Sequence, residues 1–526
     1  MGTILASVIM KCYIKPMAVL GNIIKTAIEL KDRLSADDPA VLCQERVLLD
    51  LLQKAKDTQF GRKYNFTTIL QAPDVAKAFS KAIPVHDHNK IYREWWHKTV
   101  AGEADVTWPG KPTYMAYSSG TTNLARKKIP VTEDMLQATR KTSLQQVTCL
   151  ANFDLPPEFF EKDILMLCSS TNLIENGIFK EGDISGINAS NIPFWFKTYC
   201  KPGDEILRID NWEERIQRIA LEAPNWDVGS LSGIPSWIEL MLKKIIEYNG
   251  IRNIHEIWPN LEVYATGGVA FGPYQKGLEK LLARPLIYID TYFASEGFLA
   301  FQSRPETHAM ALATDNGIYF EFVPFNAANV DENGAIKPGA EVLPLAEIRQ
   351  DEEYVVLIST VSGAWRYLIG DTVKFVNRKK SEIIITGRTK HFLNVVGSKL
   401  SVDNMNWAIQ KLEDELGMTI NEFTVSAILT ENNYAHKWYI GSEDTVDENK
   451  IVRLLDESLK KINHSYENAR SRALKHVIVK IIPPGLFYDW NAIKNKKGGQ
   501  VKTPRVMKED QFIEWENFVA RELSWQ

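Results

Sequence analysis

Apolar side chains recur at helical spacing over residues 40–58, where Val41, Val47, Leu48, Leu51 and Leu52 fall on one side. That periodicity predicts an amphipathic helix. A second predicted helix covers 133–150, with Thr132 as N-cap and Glu133 and Asp134 in a first turn whose backbone N–H groups lack partners. A third covers 235–248 and opens on Pro235, which suits a first helical turn because its missing N–H would be unpaired there. Short β-branched and aromatic runs at 261–265, 286–293, 318–323, 354–360 and 382–386 predict strands, several of them bounded by Gly, Pro or Asn. After residue 390 the texture changes to a helix at 402–415, strands at 422–429 and 436–441, a helix at 447–462 and a strand at 476–482. That order predicts a separate α+β unit, with the boundary at Thr386-Gly387-Arg388.

The N-terminal apolar run at 3–10 is cut by Lys11 and Lys15, and no stretch reaches the ~18 apolar residues of a membrane span. Ala6 breaks the myristoylation pattern. Residues 1–30 are read as a helix packed on the body, with a membrane-surface helix as the alternative. A chain of 526 residues that is 45% hydrophobic and 24% charged has the make-up of a large globular protein of several domains. Its net charge of −4 argues against a nucleic-acid partner, which calls for a basic stripe, but leaves small anions open. Cys12, Cys43, Cys149, Cys168 and Cys200 are scattered, odd in number and without a CxxC. They read as reduced thiols of a cytoplasmic protein, with no membrane partner expected.

Six segments carry candidate chemistry. Tyr117-Ser118-Ser119-Gly120-Thr121-Thr122, with Lys127 and Ile129-Pro130 following, suits a phosphate-holding loop. Its Gly lets the backbone approach, its hydroxyls and N–H groups donate to phosphate oxygens, and the lysine offsets charge. It is not a P-loop, and a plain Ser/Thr turn is the alternative. Thr266-Gly267-Gly268-Val269 follows a predicted strand and can admit a flat ring, or can be a tight turn. In Thr291-Tyr292-Phe293-Ala294-Ser295-Glu296-Gly297, Tyr292 can stack on a base and Glu296 is a hard oxygen ligand for Mg²⁺; a helix start capped by Ser295 is the alternative. In Trp365-Arg366-Tyr367-Leu368-Ile369-Gly370-Asp371, the carboxylate beyond a Gly turn can accept from a ribose diol, or can stabilise a turn between strands. The stretch from Gly387-Arg388 to Lys399-Leu400 can be hinge and phosphate contact, or a basic linker. The segment from Asn495 to Arg505 is a basic loop able to bring Lys502 to a phosphate, or a solvated charge run.

The order of these segments resembles the acyl-adenylating superfamily of acyl-CoA synthetases and luciferases. Within it the chain most resembles the Gretchen Hagen auxin-responsive promoter family of acyl acid–amido synthetases. The stretches Glu181-Gly182-Asp183-Ile184-Ser185-Gly186-Ile187, Ser232-Gly233-Ile234-Pro235-Ser236-Trp237 and Phe487-Tyr488-Asp489-Trp490 are similar to that family, and the likeness runs from about residue 40 to the end. Leu124 stands where the first motif usually has Gly, and Arg366 precedes Tyr367 where the family usually has Tyr-Arg-x-Gly-Asp. Asn394, where acyl-CoA synthetases usually carry Lys, favours the amido-synthetase branch.

The resemblance implies an α/β fold: a large N-terminal acyl-adenylate-forming domain over 1–386, with sheets flanked by helices and a β-barrel portion, a hinge at 387–390, and a small mobile α+β domain over 391–526. It implies ATP and Mg²⁺, a carboxylic acid as acyl donor and an amine, an amino acid, as acceptor. Ser118, Ser119, Gly120, Thr121, Thr122 and Lys127 would hold the outer phosphates, and Gly267, Gly268, Tyr292 and Ser295 would belong to the nucleotide site. Asp371 with Arg388 would anchor ribose and α-phosphate, Glu296 would carry the metal, and Lys502 would serve adenylation. A CoA ligase and a catalytically silent nucleotide-binding regulator are the rival readings. The acyl pocket is expected near 230–240 and beside Phe194, Trp195 and Phe196. His86-Asp87-His88 looks like a metal pair but reads better as a polar turn before a helix at 88–97.

Overall fold

The computed structural model describes residues 25–26, 39–117, 127–269, 271–331, 334–389, 393, 398, 400–430, 433–463, 466–467, 469–470, 474–493 and 503–524. Apart from 25–26, the helix expected over 1–30 lies outside the described residues. The helices predicted over 40–58, 133–150 and 235–248 form where periodicity and capping put them, while Trp212–Glu222 and Glu509–Ser524 form without having been predicted. Ala40–Ala55 buries Val47, Leu48, Leu51 and Leu52. Glu133–Cys149 starts at Thr132, whose hydroxyl accepts the Met135 N–H at 3.2 Å. Pro235–Asn249 begins on its proline and stops at Gly250, whose φ of +63° lies in the left-handed region that a Cβ disfavours.

In chain order the strands are β1 (Tyr114–Tyr117), β2 (Lys128–Val131), β3 (Asp163–Met166), β4 (Ile174–Glu175), β5 (Lys180–Asp183), β6 (Cys200–Lys201), β7 (Val228–Gly233), β8 (Val263–Gly267), β9 (Ile287–Ala294), β10 (Gly297–Phe301), β11 (Met310–Leu312), β12 (Ile318–Pro324), β13 (Leu343–Pro344), β14 (Glu353–Thr360), β15 (Tyr367–Asn377), β16 (Glu382–Arg388), β17 (Glu422–Thr430), β18 (Asn433–Gly441) and β19 (Leu474–Ile482). One large sheet runs in the order β13-β12-β14-β15-β16-β11-β10-β9-β8-β7-β3-β6. Its β6-β3-β7-β8-β9 half is parallel. From β10 to β13 its pairings are antiparallel, and this half continues the same strand order. A smaller sheet, β2-β1-β5-β4, lies beside it.

Helices cover the parallel half. Ile238, Met241, Leu242 and Ile245 of Pro235–Asn249 pack with Leu231 of β7 and Tyr264 of β8 in one apolar cluster. The N-terminal helix packs on the antiparallel half, with Leu48, Leu51 and Leu52 against Phe320, Phe322 and Tyr354 in a second cluster. The C-terminal unit has its own core, built from the helices Val402–Leu416 and Glu448–Ile462 against β17-β18-β19. Met405, Ile409, Leu412, Phe423, Trp438 and Leu455 are buried there, so this unit fills a core of its own as a small α+β domain must. The helices Gly485–Ile493 and Glu509–Ser524 close it on another side through Phe487, Trp490 and Trp515.

Candidate active site

Because β7, β8 and β9 run parallel, their carboxyl ends at Gly233, Gly267 and Ala294 share one edge of the large sheet. The crevice beyond that edge is where open α/β sheets bind ligands. At the end of β8, a Cβ on Gly267 would stand 2.3 Å from the Thr291 hydroxyl oxygen. Only glycine lets β9 come that close. Gly268 follows with φ +84°, which turns the chain away from the sheet.

Ser295 and Glu296 form the two-residue turn of the hairpin between β9 and β10, where Ala294 pairs with Gly297. The segment is therefore a strand-to-strand turn and not a helix start. The Ser295 hydroxyl donates to the Tyr117 carbonyl at 3.2 Å, tying this turn to the end of β1. Three residues before Ser295, Tyr292 donates its hydroxyl to Asp371 Oδ2 at 2.6 Å. Asp371 follows Gly370, whose φ is +88°, at an irregular point in the pairing of β15 with β14. It therefore sits within a strand, not at a turn between strands. Its other oxygen, Oδ1, accepts from Arg388 Nε at 2.8 Å, and Arg388 is its cross-strand neighbour on β16. Arg388 Nη2 also donates to the Ile369 carbonyl at 3.1 Å. Both carboxylate oxygens of Asp371 are thus held from fixed directions.

Glu296 is 8% exposed, and burial pushes its carboxyl up to about 7. The nearby negative charge of Asp371 raises it further, while Arg388 and a hydrogen bond from the Tyr367 hydroxyl pull the other way. Burial also lifts the Tyr292 and Tyr367 phenols well above their usual range, so both stay protonated donors. Asp371 raises the affinity of the Arg388 guanidinium for its proton. A buried carboxyl beside a second acid gains most from a cation, so Glu296 fits a divalent metal ligand.

The hydroxyl segment itself, Ser118, Ser119, Gly120, Thr121 and Thr122 with Leu124, lies outside the described residues. Its two stems are described. Tyr117 ends β1 and pairs with Lys128 at the start of β2, so the segment with Lys127 connects the two strands of a hairpin. Glu181 of β5 clamps both stems. Its carboxylate accepts from the Tyr117 hydroxyl, from Lys128 Nζ and from Asn176 Nδ2, each at 2.7 Å. Those donors hold the Glu181 carboxyl below the usual range even though burial opposes them. In the sequence the Glu181 stretch is a family likeness without a role. The two partners on the stems, Tyr117 and Lys128, lie over 50 positions away, and the only prior sign was an acid within a Gly-rich run. Lys502, Asn394 and residues 390–392 are also outside the described residues.

Other candidates fall elsewhere. Asp87 caps a helix by accepting the Lys90 N–H at 2.8 Å, as a polar turn before a helix does. The rings beside it diverge: His86 Nδ1 meets the Trp365 carbonyl at 2.9 Å and His88 Nε2 meets the Lys128 carbonyl at 3.2 Å. Among the described residues, no group of three or more His, Cys, Asp or Glu side chains is placed to hold a metal. Arg366 is buried against Glu321 at 2.9 Å and donates to the Ser80 and Ile83 carbonyls, away from Asp371. Phe194 is 85% exposed, whereas Trp237 is buried.

The three parts of a single family model account for most of the chain: the GH3 family N-terminal domain over residues 35–221, the central domain over 311–385 and the C-terminal domain over 403–511. The chain is 23% identical to the jasmonoyl–L-amino acid synthetase JAR4 of Nicotiana attenuata, over 88% of this chain and 90% of that relative. It is 25% identical to the jasmonoyl–L-amino acid synthetase GH3.5 of Oryza sativa subsp. japonica, over 88% and 92% of the two chains. Its fold is similar to that of the GH3.15 acyl acid amido synthetase, with a TM-score of 0.76 at 17% identity over 94% of this chain and 96% of the other. A 2-hydroxyisobutyryl-CoA ligase in its postadenylation state shares the fold more loosely, with a TM-score of 0.55 at 12% identity over 91% of each chain. With its N-terminal, central and C-terminal parts all matched in order around the Tyr292–Asp371–Arg388 edge, the chain belongs to the GH3 family.

Proposed function

We propose that this chain activates an organic acid with ATP and passes the acyl group to an amino acid. It is an amide-forming ligase working through an acyl-adenylate. The observation that carries this reading is the convergence of Tyr292, Asp371, Arg388 and Glu296 at the carboxyl edge of the parallel strands, in a GH3 chain.

A carboxylate resists attack because it would have to expel oxide. When its oxygen attacks the α-phosphorus of ATP, an acyl–oxygen–phosphorus link forms and the bond to pyrophosphate breaks. An amine nitrogen then attacks the carbonyl carbon, forming the C–N bond. The bond to AMP breaks, and the amine loses a proton to solvent. Little covalent chemistry is asked of the protein, so its residues position the reactants and offset charge. Asp371, oriented by Tyr292 and Arg388, accepts from the ribose diol, and Arg388 faces the α-phosphate. Gly267, Gly268 and Tyr292 frame the adenine. Ser118, Ser119, Gly120, Thr121, Thr122 and Lys127 hold the outer phosphates on stems set by Glu181. Glu296 would hold Mg²⁺, which supplies positive charge against the phosphates. Lys502 offsets charge during adenylation, and a hinge at 387–390 lets the small domain over 391–526 move against residues 1–386.

The acid is proposed to be aryl or alicyclic, since relatives are named for jasmonoyl and indole-3-acetic acid conjugation and a GH3.15 structure is a complex with 2,4-DB. A cytoplasmic setting is proposed because the five cysteines are scattered, odd in number and without a CxxC. Among the described residues, no helix is long and apolar enough to cross a membrane. The test is a panel of carboxylic acids crossed with amino acids, read by pyrophosphate release and by mass spectrometry of the product. Acid-dependent pyrophosphate followed by an N-acyl amino acid supports the proposal. Consumption of CoA thiol in place of the amine, or ATP binding with no turnover on any acid, overturns it.

A further inference from the structure

The small domain meets the large one through a buried polar contact that the nucleotide site does not use. Glu422, the first residue of β17, is 3% exposed. It accepts from Arg505 Nη1 at 2.7 Å and from the Tyr274 hydroxyl at 3.0 Å. Arg505 Nη2 in turn donates to the Tyr274 oxygen at 2.7 Å, and its guanidinium lies 4.3 Å from the centre of the Phe423 ring. Glu422, Phe423 and Arg505 belong to the small domain. Tyr274 belongs to the large one, in the helix Gly272–Glu279 that follows the Gly267–Gly268 turn. A second buried bond runs alongside, from Asn421 Nδ2 to Glu239 Oε1 at 2.8 Å. Gly277 makes room for it, since a Cβ there would stand 3.0 Å from that Glu239 oxygen.

This contact sits on the flanks of the basic segment that carries Lys502. Thr503, Pro504 and Arg505 follow Lys502 directly and are fixed to the small domain: Asn491 Nδ2 donates to the Thr503 hydroxyl oxygen at 3.2 Å, Thr424 to the Pro504 carbonyl at 2.7 Å, and the Val425 N–H to the Arg505 carbonyl at 2.9 Å. On the other flank, Tyr488 packs its ring 6.0 Å from that of Trp237. Trp237 stands just beyond the carboxyl end of β7, and Tyr274 just beyond that of β8. Both flanks of that segment are therefore pinned to the nucleotide edge of the parallel sheet.

We propose that Arg505 is a positioning residue for the adenylation half-reaction: through Tyr274 it fastens the Thr503–Arg505 stretch that follows Lys502 to the large domain. The inference rests on the reading of Lys502 as the residue that serves adenylation. Once the acyl-adenylate exists, that lysine has no further task, so the contact matters to the first step and not to acyl transfer.

Removing Arg505 outright would leave Glu422 buried and unpaired, which threatens folding. The cleaner variant is Tyr274→Phe, which deletes only the hydroxyl that crosses between the domains and keeps the Arg505–Glu422 pair. The experiment measures acid-dependent pyrophosphate release, and separately amide formation from a preformed acyl-adenylate, in the full chain carrying Y274F, R505K or K502A. The expected result for Y274F is a roughly tenfold slower pyrophosphate release, the scale of one lost hydrogen bond to a charged group. Transfer from the preformed adenylate should stay at the wild-type rate. R505K keeps the charge but loses the two-armed guanidinium, and should show the same split. Equal loss in both half-reactions, or no loss in either, overturns the proposal. Failure of the underlying reading is distinguishable, because K502A would then release pyrophosphate at the wild-type rate, or the unmodified protein would release none.

Discussion

Tyr292 and Asp371 lie 79 residues apart in the chain, yet the phenol of one donates to the carboxylate of the other at 2.6 Å. The bond joins the parallel half of the large sheet, where β9 ends, to its antiparallel half, where β15 carries the Gly370–Asp371 irregularity. Arg388 completes the arrangement from β16 at 2.8 Å. Asp371 therefore presents a carboxylate whose direction is set before any nucleotide arrives, and preorganisation of this kind lowers the cost of binding.

Replacing Asp371 with Ala should lower kcat/KM for ATP by roughly a hundredfold or more, since two hydrogen bonds to a charged group, each worth about 1.5–3 kcal/mol, lose their acceptor. Tyr292→Phe removes only the orienting donor and should cost roughly tenfold. Steady-state pyrophosphate assays at varied ATP check both, and equal effects would show that Tyr292 does more than orient the acid.

The Glu296 carboxyl is raised from its usual 4.5 to about 7 by burial. A raised acid favours the fold in its neutral form. The contribution is complete below pH 4.5 and disappears as the pH climbs through about 7. In the proposed role of Glu296, binding of Mg²⁺ with ATP would need the charged form and displace the proton, so the dependence would reverse in the complex. Melting of the free protein should lose this contribution between pH 5 and 8, while stabilisation by Mg²⁺ and ATP should grow over the same range. Glu296→Gln should flatten both trends.

Glu181→Gln keeps the shape of the side chain but removes the charge that Lys128 and the Tyr117 hydroxyl bind. The two stems of the Ser118–Thr122 segment then lose their common anchor. The KM for ATP should rise about tenfold, on the scale of a lost charged hydrogen bond, with transfer from preformed acyl-adenylate unaffected. Kinetics of the two half-reactions test this.

Arg366 and Arg388 stand 22 residues apart in the chain and should behave oppositely. Arg366 and Glu321 are both nearly fully buried, so Arg366→Ala leaves an unpaired acid in the core and should destabilise by about 3–5 kcal/mol. Arg388 is 43% exposed, so Arg388→Ala should change stability little and adenylation strongly. Denaturant unfolding beside pyrophosphate assays separates the two.

Three helices of the large domain were legible from strong local signals, although Trp212–Glu222, capped by Asn211, was not read. Thr132 as a cap, Pro235 as an opener and the Val47-Leu48-Leu51-Leu52 stripe each act within a turn or two of their own position. The five elements predicted between 402 and 482 were placed to within a few residues for the same reason, whereas the helices Gly485–Ile493 and Glu509–Ser524 were not predicted. Ser295-Glu296 was ambiguous because a capped helix start and a hairpin turn draw on the same small and acidic residues, and the choice is made by the pairing of Ala294 with Gly297. Glu181 and Tyr274 could not be assigned roles, because each takes its meaning from partners far away in sequence that local periodicity does not encode. Arg366 reads like a site residue in sequence, since only the fold reveals Glu321 beneath it.

The account stands on direct attack of the acid on the innermost phosphorus of ATP. Supplying the acid with both carboxylate oxygens as ¹⁸O and analysing the products after amide formation tests this most directly. The prediction is one ¹⁸O in the released AMP, one retained in the amide carbonyl and none in pyrophosphate. Release of ADP in place of AMP, with one ¹⁸O in inorganic phosphate, would mean that the acid is activated as an acyl phosphate and would contradict direct attack on the α-phosphorus.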